Sequence, residues 1–207
     1  LRQTKGLYSF EVDKFGKFYA NAELRVRGKH NIYNALATIV VCDLIGTDTK
    51  LCLEAINEFE GVERRWTQIE NGFTNIVEDY AHHPNEIKAL IETALQQEYG
   101  KVVVAFQPHT YSRTQALFND FVTCFNGVDE LMLLPVYAAR EDPIAGVTSE
   151  HLAEVINDLG QVKTTAVESF EKCARLIRQT AAKEDLVLVV GAGNINKLSE
   201  ILKNMPA

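Results

Sequence analysis

The sequence predicts an α/β protein: a Rossmann-like, mostly parallel sheet flanked by helices, preceded by a smaller strand–helix–helix segment. Three observations carry this. Short unbroken apolar runs, such as 102–106 and 186–190, alternate with stretches of helical length and period. Strands without polar alternation are buried on both faces, which is the condition of a parallel sheet covered by helices on both sides. The apolar runs are followed by polar or glycine-rich turns, where open α/β sheets bind ligands.

The segment before Arg64-Arg65 follows a different grammar. Residues 7–11 and 16–20 alternate around Asp13-Lys14-Phe15-Gly16 and read as a β-hairpin. A helical pattern follows over 32–45, with Asn31 placed as N-cap and Gly46 as C-cap. A short helix is predicted over 50–58. After the arginine pair, strands are predicted at 74–80, 102–106, 130–136, 161–166 (weakly) and 186–190. Helices are predicted at 84–99, with Pro84 in the first turn, and at 114–125, 149–158, 170–182 and 194–203. This divides the chain into 1–65 and 66–207. No repeat or low-complexity segment interrupts it.

The 207 residues are 46% hydrophobic and 24% charged, which supports a packed core and argues against disorder. The formal net charge of −7 argues against a general nucleic-acid or membrane-surface role, since both need a basic face. It leaves room for a local basic pocket that takes a nucleotide or a carboxylate. The four cysteines, Cys42, Cys52, Cys124 and Cys173, are widely spaced in apolar helical patterns, with no C-x-x-C. They read as small hydrophobes in a reducing cytoplasm. No apolar run approaches transmembrane length, and no signal peptide is visible. The chain opens at Leu1 directly in strand-like sequence, and the expectation is of a cut inside a longer protein.

Three strand ends concentrate the chemistry. In Glu78-Asp79-Tyr80-Ala81-His82-His83-Pro84 a carboxylate and two imidazoles leave a strand and enter a helix N-terminus. Such a segment serves equally as an anion or proton site and as a hydrogen-bonded Asp–His turn. In Gln107-Pro108-His109-Thr110-Tyr111-Ser112-Arg113-Thr114, Ser112 or Thr114 would account for a helix cap, but His109 and Arg113 together favour function. Gly191-Ala192-Gly193-Asn194 is a weak dinucleotide signal and reads first as a tight strand-to-helix turn that offers backbone N–H groups. Arg64 and Arg65 sit at the junction of the two parts, suited either to phosphate or to a solvated linker, with Trp66 as a packing residue beside them. Of the five histidines only His151 lies away from these segments and the His30 turn, on a solvated helix face. No metal-ligand spacing such as H-x-x-x-H is present, and no metal site is predicted in this chain.

Taken together, these segments resemble the Mur ligase family. The residues that carry the resemblance are Gly28-x-His30-Asn31-x-x-Asn34-Ala35, Phe59-x-Gly61-x-x-Arg64-Arg65, Asp79-Tyr80-Ala81-His82-His83-Pro84-x-Glu86, Phe106-Gln107-Pro108-His109-x-Tyr111-Ser112-Arg113-Thr114 and Gly191-Ala192-Gly193. They span residues 28–193 in the family's order, and the two histidine-bearing runs are specific for its alanine-adding branch. The resemblance implies that residues 1–65 are the tail of a central ATPase domain and that residues 66–207 form the C-terminal Rossmann-like ligase domain. It implies cytoplasmic peptidoglycan synthesis, in which ATP phosphorylates the carboxylate of UDP-N-acetylmuramic acid and L-alanine then attacks the acyl phosphate. It further implies that Asn31 and Asn34, supported by His30, bind the adenine region, that Arg65 reaches the phosphates, and that Asp79 reaches the ribose. His82, His83, His109 and Arg113 would face the muramoyl carboxylate and alanine, with Thr110 where some relatives carry a second basic residue. The chain contains no G-x-x-x-x-G-K-[ST] phosphate loop. The Mg²⁺ ligands are therefore expected mainly upstream, and the fragment alone is expected to be inactive. The alternatives are a ligase that recycles murein tripeptide and a stand-alone, non-catalytic nucleotide-binding module. A dehydrogenase fits less well because the glycine fingerprint is wrong.

Overall fold

A computed structural model describes residues 1–205. The chain forms two compact units, residues 1–62 with 92–98 and residues 63–91 with 99–207. No helix among the described residues is long and apolar enough to cross a membrane.

The first unit has a three-stranded antiparallel sheet, β1 (Arg2–Thr4), β2 (Leu7–Lys14) and β3 (Lys17–Glu23), and two helices, α1 (His30–Leu44) and α2 (Thr49–Glu58). The predicted hairpin is present, and β1 adds a strand that the sequence reading did not include. Both hairpin turns are two residues long, Lys5-Gly6 and Phe15-Gly16, with positive φ at each position. That is the backbone of a type I′ turn, whose twist matches the strands. Tyr8, Phe10, Ala22 and Leu24 from the sheet side pack with Ile32, Ala35 and Ile39 of α1 and with Cys52 and Ile56 of α2.

The start of α1 corrects one expectation. Asn31 is not the N-cap. Lys29 holds that position with helical φ and ψ and no side-chain cap. The chain enters the helix through a backbone turn, with Asn31 N–H donating to Gly28 O and Ile32 N–H to Lys29 O. Gly28 makes this possible at φ +100°, a conformation that L residues avoid. At the other end, Gly46 N–H donates to Asp43 O and Thr47 N–H to Cys42 O, with Gly46 at φ +76°. This Schellman closure follows Ile45, so Gly46 stops the helix from the position just beyond the cap.

The second unit is the predicted doubly covered sheet. Its strands are β4 (Thr67–Ile69), β5 (Asn75–Asp79), β6 (Val102–Phe106), β7 (Glu130–Leu133), β8 (Lys163–Ala166) and β9 (Leu186–Val190). Their spatial order is β4-β5-β9-β6-β7-β8, and all neighbours are parallel except the edge pair β4–β5. The helices are α3 (Pro84–Leu95), of which residues 84–91 fall in this unit, α4 (Tyr111–Ala116), α5 (Phe118–Thr123), α6 (Ser149–Asp158), α7 (Phe170–Thr180) and α8 (Asn196–Lys203). Every residue of β6 and β9 is buried. On one face Val103, Ala105, Val187 and Val189 pack with Cys173, Ala174 and Ile177 of α7 and with Leu198 and Leu202 of α8. On the other face the Phe106 ring lies 5.6 Å from Phe121 and 5.3 Å from Phe125.

The predicted helix over 114–125 is instead two six-residue helices. Thr110 caps the first, its Oγ1 accepting from Arg113 N–H, so that helix begins at Tyr111. Leu117, at φ −111° and ψ 19°, leaves the helical region and breaks the run. Of the other predicted elements of this unit, those at 102–106, 149–158 and 186–190 keep their bounds and the rest are a few residues shorter. All four cysteines are free thiols, three of them buried, and burial pushes the Cys173 thiol up to about 12.

The register places the site. Asp79, Val190, Phe106, Leu133 and Ala166 are Cα partners in one row. The carboxyl ends of five parallel strands are therefore level. Because β9 returns to lie between β5 and β6, the loops after those three strands open side by side. We expect Phe106→Ala, which empties a fully buried position, to lower unfolding free energy by about 3–5 kcal/mol. Urea denaturation checks this, and a loss below about 1 kcal/mol would mean that the aromatic layer is not the core of this face.

Candidate active site

In the first unit, the Gly28-Lys29-His30 turn orders the asparagines. A Cβ on Gly28 would lie 2.5 Å from His30 Cε1, so the imidazole packs against the bare glycine. Asn31 Nδ2 donates to Arg27 O at 2.7 Å, and Asn34 Nδ2 donates to Asn31 Oδ1 at 3.0 Å. Asn34 is exposed. The two amides thus form a short chain anchored at the helix start, an arrangement able to present amide groups to a heterocycle edge.

The remaining candidates belong to the second unit. Arg64 and Arg65 follow one another but are employed differently. Arg64 Nε donates to Glu78 at 2.9 Å, and its Nη2 donates to Gly191 O at 2.7 Å and Gly193 O at 3.3 Å. Its guanidinium lies 4.7 Å from the Tyr80 ring centre. It is committed to the protein and is not half of a phosphate-neutralising pair. Arg65 is the more available cation: 45% of its side chain is exposed, with Asp79 at 3.6 Å and Glu86 at 3.9 Å. Both Arg64 and Trp66 have positive φ. That turn is fixed by Tyr80 N–H on Arg64 O and Trp66 N–H on Asp79 Oδ2. Asp79 is buried, and its Oδ1 also accepts from Ala81 N–H. Its carboxylate therefore holds two backbone segments in place.

After β5 the chain enters α3 through His82 and His83. Glu86 reaches back so that its Oε2 accepts from the N–H groups of both His82 and His83, at 2.9 and 3.2 Å. This is the reciprocal half of a capping box. Of the two even readings of this segment, the one as an anion site at the helix N-terminus meets the protein's own carboxylate in that place. His83 Nδ1 accepts from Asn85 N–H, so His83 caps the helix. His82 instead turns toward β6. Its Nδ1 lies 3.0 Å from Tyr80 O and 3.4 Å from Glu86 Oε2. Burial raises the Glu86 carboxyl, but the two N–H donors and the nearby His82 and Arg65 bring it below the ordinary carboxylate value.

After β6, His109 is bridged to Tyr137, the residue two beyond Pro135 in the loop after β7. Thr110 takes φ +67° and ψ 143°, a costly conformation for a β-branched residue. It is held there by its N–H on Tyr137 O and by Thr114 Oγ1, which donates to Thr110 O. Ring centroids separate His82 from His109 by 6.2 Å and His109 from Tyr137 by 5.5 Å. Arg113 Nη1 lies 3.4 Å from His109 Nδ1. Ser112 caps nothing; its N–H and hydroxyl both donate to Glu141. Burial first, then the charges of Arg113 and His82, hold the His109 imidazole below its ordinary value against the pull of Glu141. The structure therefore brings His82, His109 and Arg113 together, sets Arg65 beside Asp79 and Glu86, and gives His83 a cap.

The glycine loop is required by close approach. Gly191 N–H donates to Asp79 O, so it is not offered to a ligand. A Cβ on Gly193 would lie 2.7 Å from Tyr137 Cγ and 2.8 Å from Gln107 Oε1. Sequence reasoning assigned no role to Tyr80, Glu86, Tyr137 or Glu141. Tyr137 carried a usable signal, since it follows a strand end as the others do. Glu141 carried none, because only the folded loop brings it to Ser112.

Two outcomes follow. Gly193→Ala should cost about 1–3 kcal/mol through overpacking against Tyr137 and Gln107; thermal unfolding at wild-type stability would contradict the close approach. The pH dependence has a definite sign. The folded value of His109 lies below its unfolded value of 6.5, so the unfolded state binds more protons beneath that pH. The stability tied to neutral His109 is complete above 6.5 and is lost as pH falls through the folded value. The depressed carboxyls of Glu86 and Glu141 add a second loss below 4.5. Melting temperature should therefore fall in two stages on acidification, and His109→Gln should remove the upper stage. An unchanged upper stage in that variant would overturn the assignment.

Residues 64–193 match the family described as Mur ligase, glutamate ligase domain. The chain is 41% identical over 198 residues to a UDP-N-acetylmuramate–L-alanine ligase of Caldanaerobacter subterraneus subsp. tengcongensis, covering 95% of this chain and 43% of that protein. The crystal structure of a UDP-N-acetylmuramate-alanine ligase from Thermotoga maritima superposes with a TM-score of 0.75 at 30% identity, over 96% of this chain and 43% of that one. A murein peptide ligase from Psychrobacter arcticus shares the fold at 18% identity and a TM-score of 0.67, over 100% of this chain and 44% of that chain. The chain thus spans less than half the length of these relatives. With the family's glutamate ligase domain matched across the candidate site and the same α/β architecture in its relatives, the chain belongs to the Mur ligase family.

Proposed function

We propose that this chain is the C-terminal part of an ATP-dependent ligase that joins L-alanine to UDP-N-acetylmuramic acid in peptidoglycan synthesis. The observation that carries the reading is the convergence of His82, His109 and Arg113 at level strand ends, beside an exposed Arg65. A reaction that passes through an acyl phosphate develops negative charge on phosphoryl and carbonyl oxygens, and fixed cationic donors stabilise it. Arg65 supplies such donors to phosphate, since Asp79 and Glu86 orient its guanidinium from 3.6 Å or more without saturating it. Arg113 and His109 supply donors to a carboxylate or tetrahedral oxygen. Asn31 and Asn34 would take the adenine edge of ATP, and Asp79, besides fixing the Arg65 turn, is assigned to the ribose by the family resemblance.

Magnesium would neutralise the phosphates of bound ATP. Among the described residues no group of three or more His, Cys, Asp or Glu is placed to hold a metal ion. Its ligands are proposed to lie mainly in the part of the ligase outside this chain. With no phosphate loop in its sequence, the chain by itself is proposed to be inactive.

The test is phosphate release by the longer ligase, measured with UDP-N-acetylmuramic acid and ATP, and with alanine or a murein tripeptide as the amine. Turnover should require alanine. Turnover with the tripeptide alone would transfer the assignment to the recycling ligase. Arg65→Ala should lower kcat/KM by about 10²–10³-fold, the cost of removing one oriented donor, with an unchanged circular dichroism spectrum. Near-normal turnover in that variant would remove Arg65 from the phosphate site.

A further inference from the structure

The partners of His82 and His109 differ in kind. His82 Nδ1 faces two acceptors, the Tyr80 carbonyl at 3.0 Å and the Glu86 carboxylate at 3.4 Å. A carbonyl oxygen only accepts, so Nδ1 carries the proton and, in the neutral ring, Nε2 carries the lone pair. His109 Nδ1 faces the Arg113 guanidinium at 3.4 Å. A guanidinium only donates, so here Nδ1 carries the lone pair and Nε2 the proton. Among the described residues, no protein group hydrogen-bonds Nε2 of either ring.

We propose that the two histidines are held as opposite neutral tautomers, that His82 Nε2 accepts the proton of the incoming amino-acid ammonium, and that His109 Nε2–H donates to an anionic oxygen of the same substrates. The tautomer assignment stands on these contacts alone, and the catalytic assignment rests on the ligase reading above. Alanine enters as an ammonium, whose nitrogen has no lone pair with which to attack. His82 Nε2 takes one proton and becomes an imidazolium. The freed nitrogen pair forms the bond to the acyl-phosphate carbon, and the carbon–oxygen bond to phosphate breaks, with its electrons leaving on phosphate. The second nitrogen proton passes to that phosphate, and His82 returns its own to solvent. The imidazolium is stabilised through Nδ1–H by Glu86, while Arg65, beyond Glu86, opposes it weakly. His109 is unsuited to the proton-accepting role. Arg113 faces its lone pair, the His82 ring lies beside it and Tyr137 covers another side, with Glu141 as the one carboxylate acting on it.

Nitrogen-15 NMR of the histidine rings in this chain, at a pH where both are neutral, tests the first part. The protonated-type nitrogen should be Nδ1 in His82 and Nε2 in His109. The same tautomer in both rings, or the reverse pair, overturns the proposal. His82→Asn in the longer ligase tests the second part, since the Asn amide keeps the donor to Tyr80 O and removes the basic nitrogen. Alanine ligation should fall about 10²-fold or more, the usual contribution of a general base. Trapping of the acyl phosphate by hydroxylamine, an amine already unprotonated at neutral pH, should fall far less. Equal loss of both activities, or alanine ligation within a few-fold of wild type, overturns the role of His82. Absence of alanine-dependent turnover in the wild-type ligase would instead sink the ligase reading and leave the tautomer result standing.

Discussion

The Arg64 guanidinium ties together the three places from which the site is built. It pairs with Glu78 on β5, bonds the Gly191 and Gly193 carbonyls after β9, and lies over the Tyr80 ring at the start of the α3 loop. Glu78 is buried, so the pair is held in surroundings where an unpaired carboxylate would cost several kcal/mol, on the order of 3–5 for a broken buried ion pair. This makes the arrangement close to all-or-none. While Glu78 is paired, the glycine loop is pinned. With the loop pinned, Gly193 sits against Tyr137 and Gln107. Tyr137 in turn fixes Thr110 through its carbonyl and meets the His109 ring. The geometry of a histidine after β6 is therefore set by an arginine that precedes β4.

Beneath this clamp lies the sheet. Strands buried on both faces have no polar outlet along their length, so functional side chains must emerge where the strands end. The level register of β5, β9 and β6 then brings the rings of two histidine-bearing loops to 6.2 Å from each other. The same placement explains their unequal chemistry. His82 leaves a strand into a helix start, where carbonyl and carboxylate oxygens gather. His109 leaves a strand into a turn whose next helix delivers Arg113 four residues later.

Much of this was legible in the sequence, and the reasons are local. The runs 102–106 and 186–190 are strands at those bounds because a five-residue, valine-rich apolar stretch between turns is too short for a helix and suits a strand buried on both faces. The hairpin was legible from its Phe15-Gly16 turn. What escaped depends on partners distant in the chain. β4 is three residues long and exists through its pairing with β5. The break at Leu117 and the displaced cap at Asn31 are backbone choices made by the surrounding turns, not by the helix-forming residues. Within the site, the motifs named the arginines and histidines but did not rank them, and they passed over Tyr137 and Glu141. Arg64 and Arg65 look alike in sequence, yet one is enclosed by acceptors and the other faces solvent. His82 and His83 look alike too, yet one caps α3 and the other meets His109.

The carboxylates complete the logic. The chain is acidic while its proposed substrates are anions, and the positions of the carboxylates reconcile the two. Glu86 occupies the α3 N-terminus, so the helix itself does not attract a second anion. Asp79 binds backbone N–H groups and stands off from Arg65. Glu141 holds Ser112 at the start of α4. Each fixes a backbone segment, and Asp79 and Glu86 also stand beside Arg65 without sharing its donors in full. In the proposed reading, recognition of an anionic substrate is thereby left to side chains, two of them imidazoles. A site that relied on helix dipoles would have a fixed potential. Here the acceptors gathered at His82 Nδ1 and the Arg113 donor at His109 Nδ1 make the two imidazoles unequal, and in the proposed ligase reading that difference suits a pocket that takes an amine nucleophile and also holds negative charge.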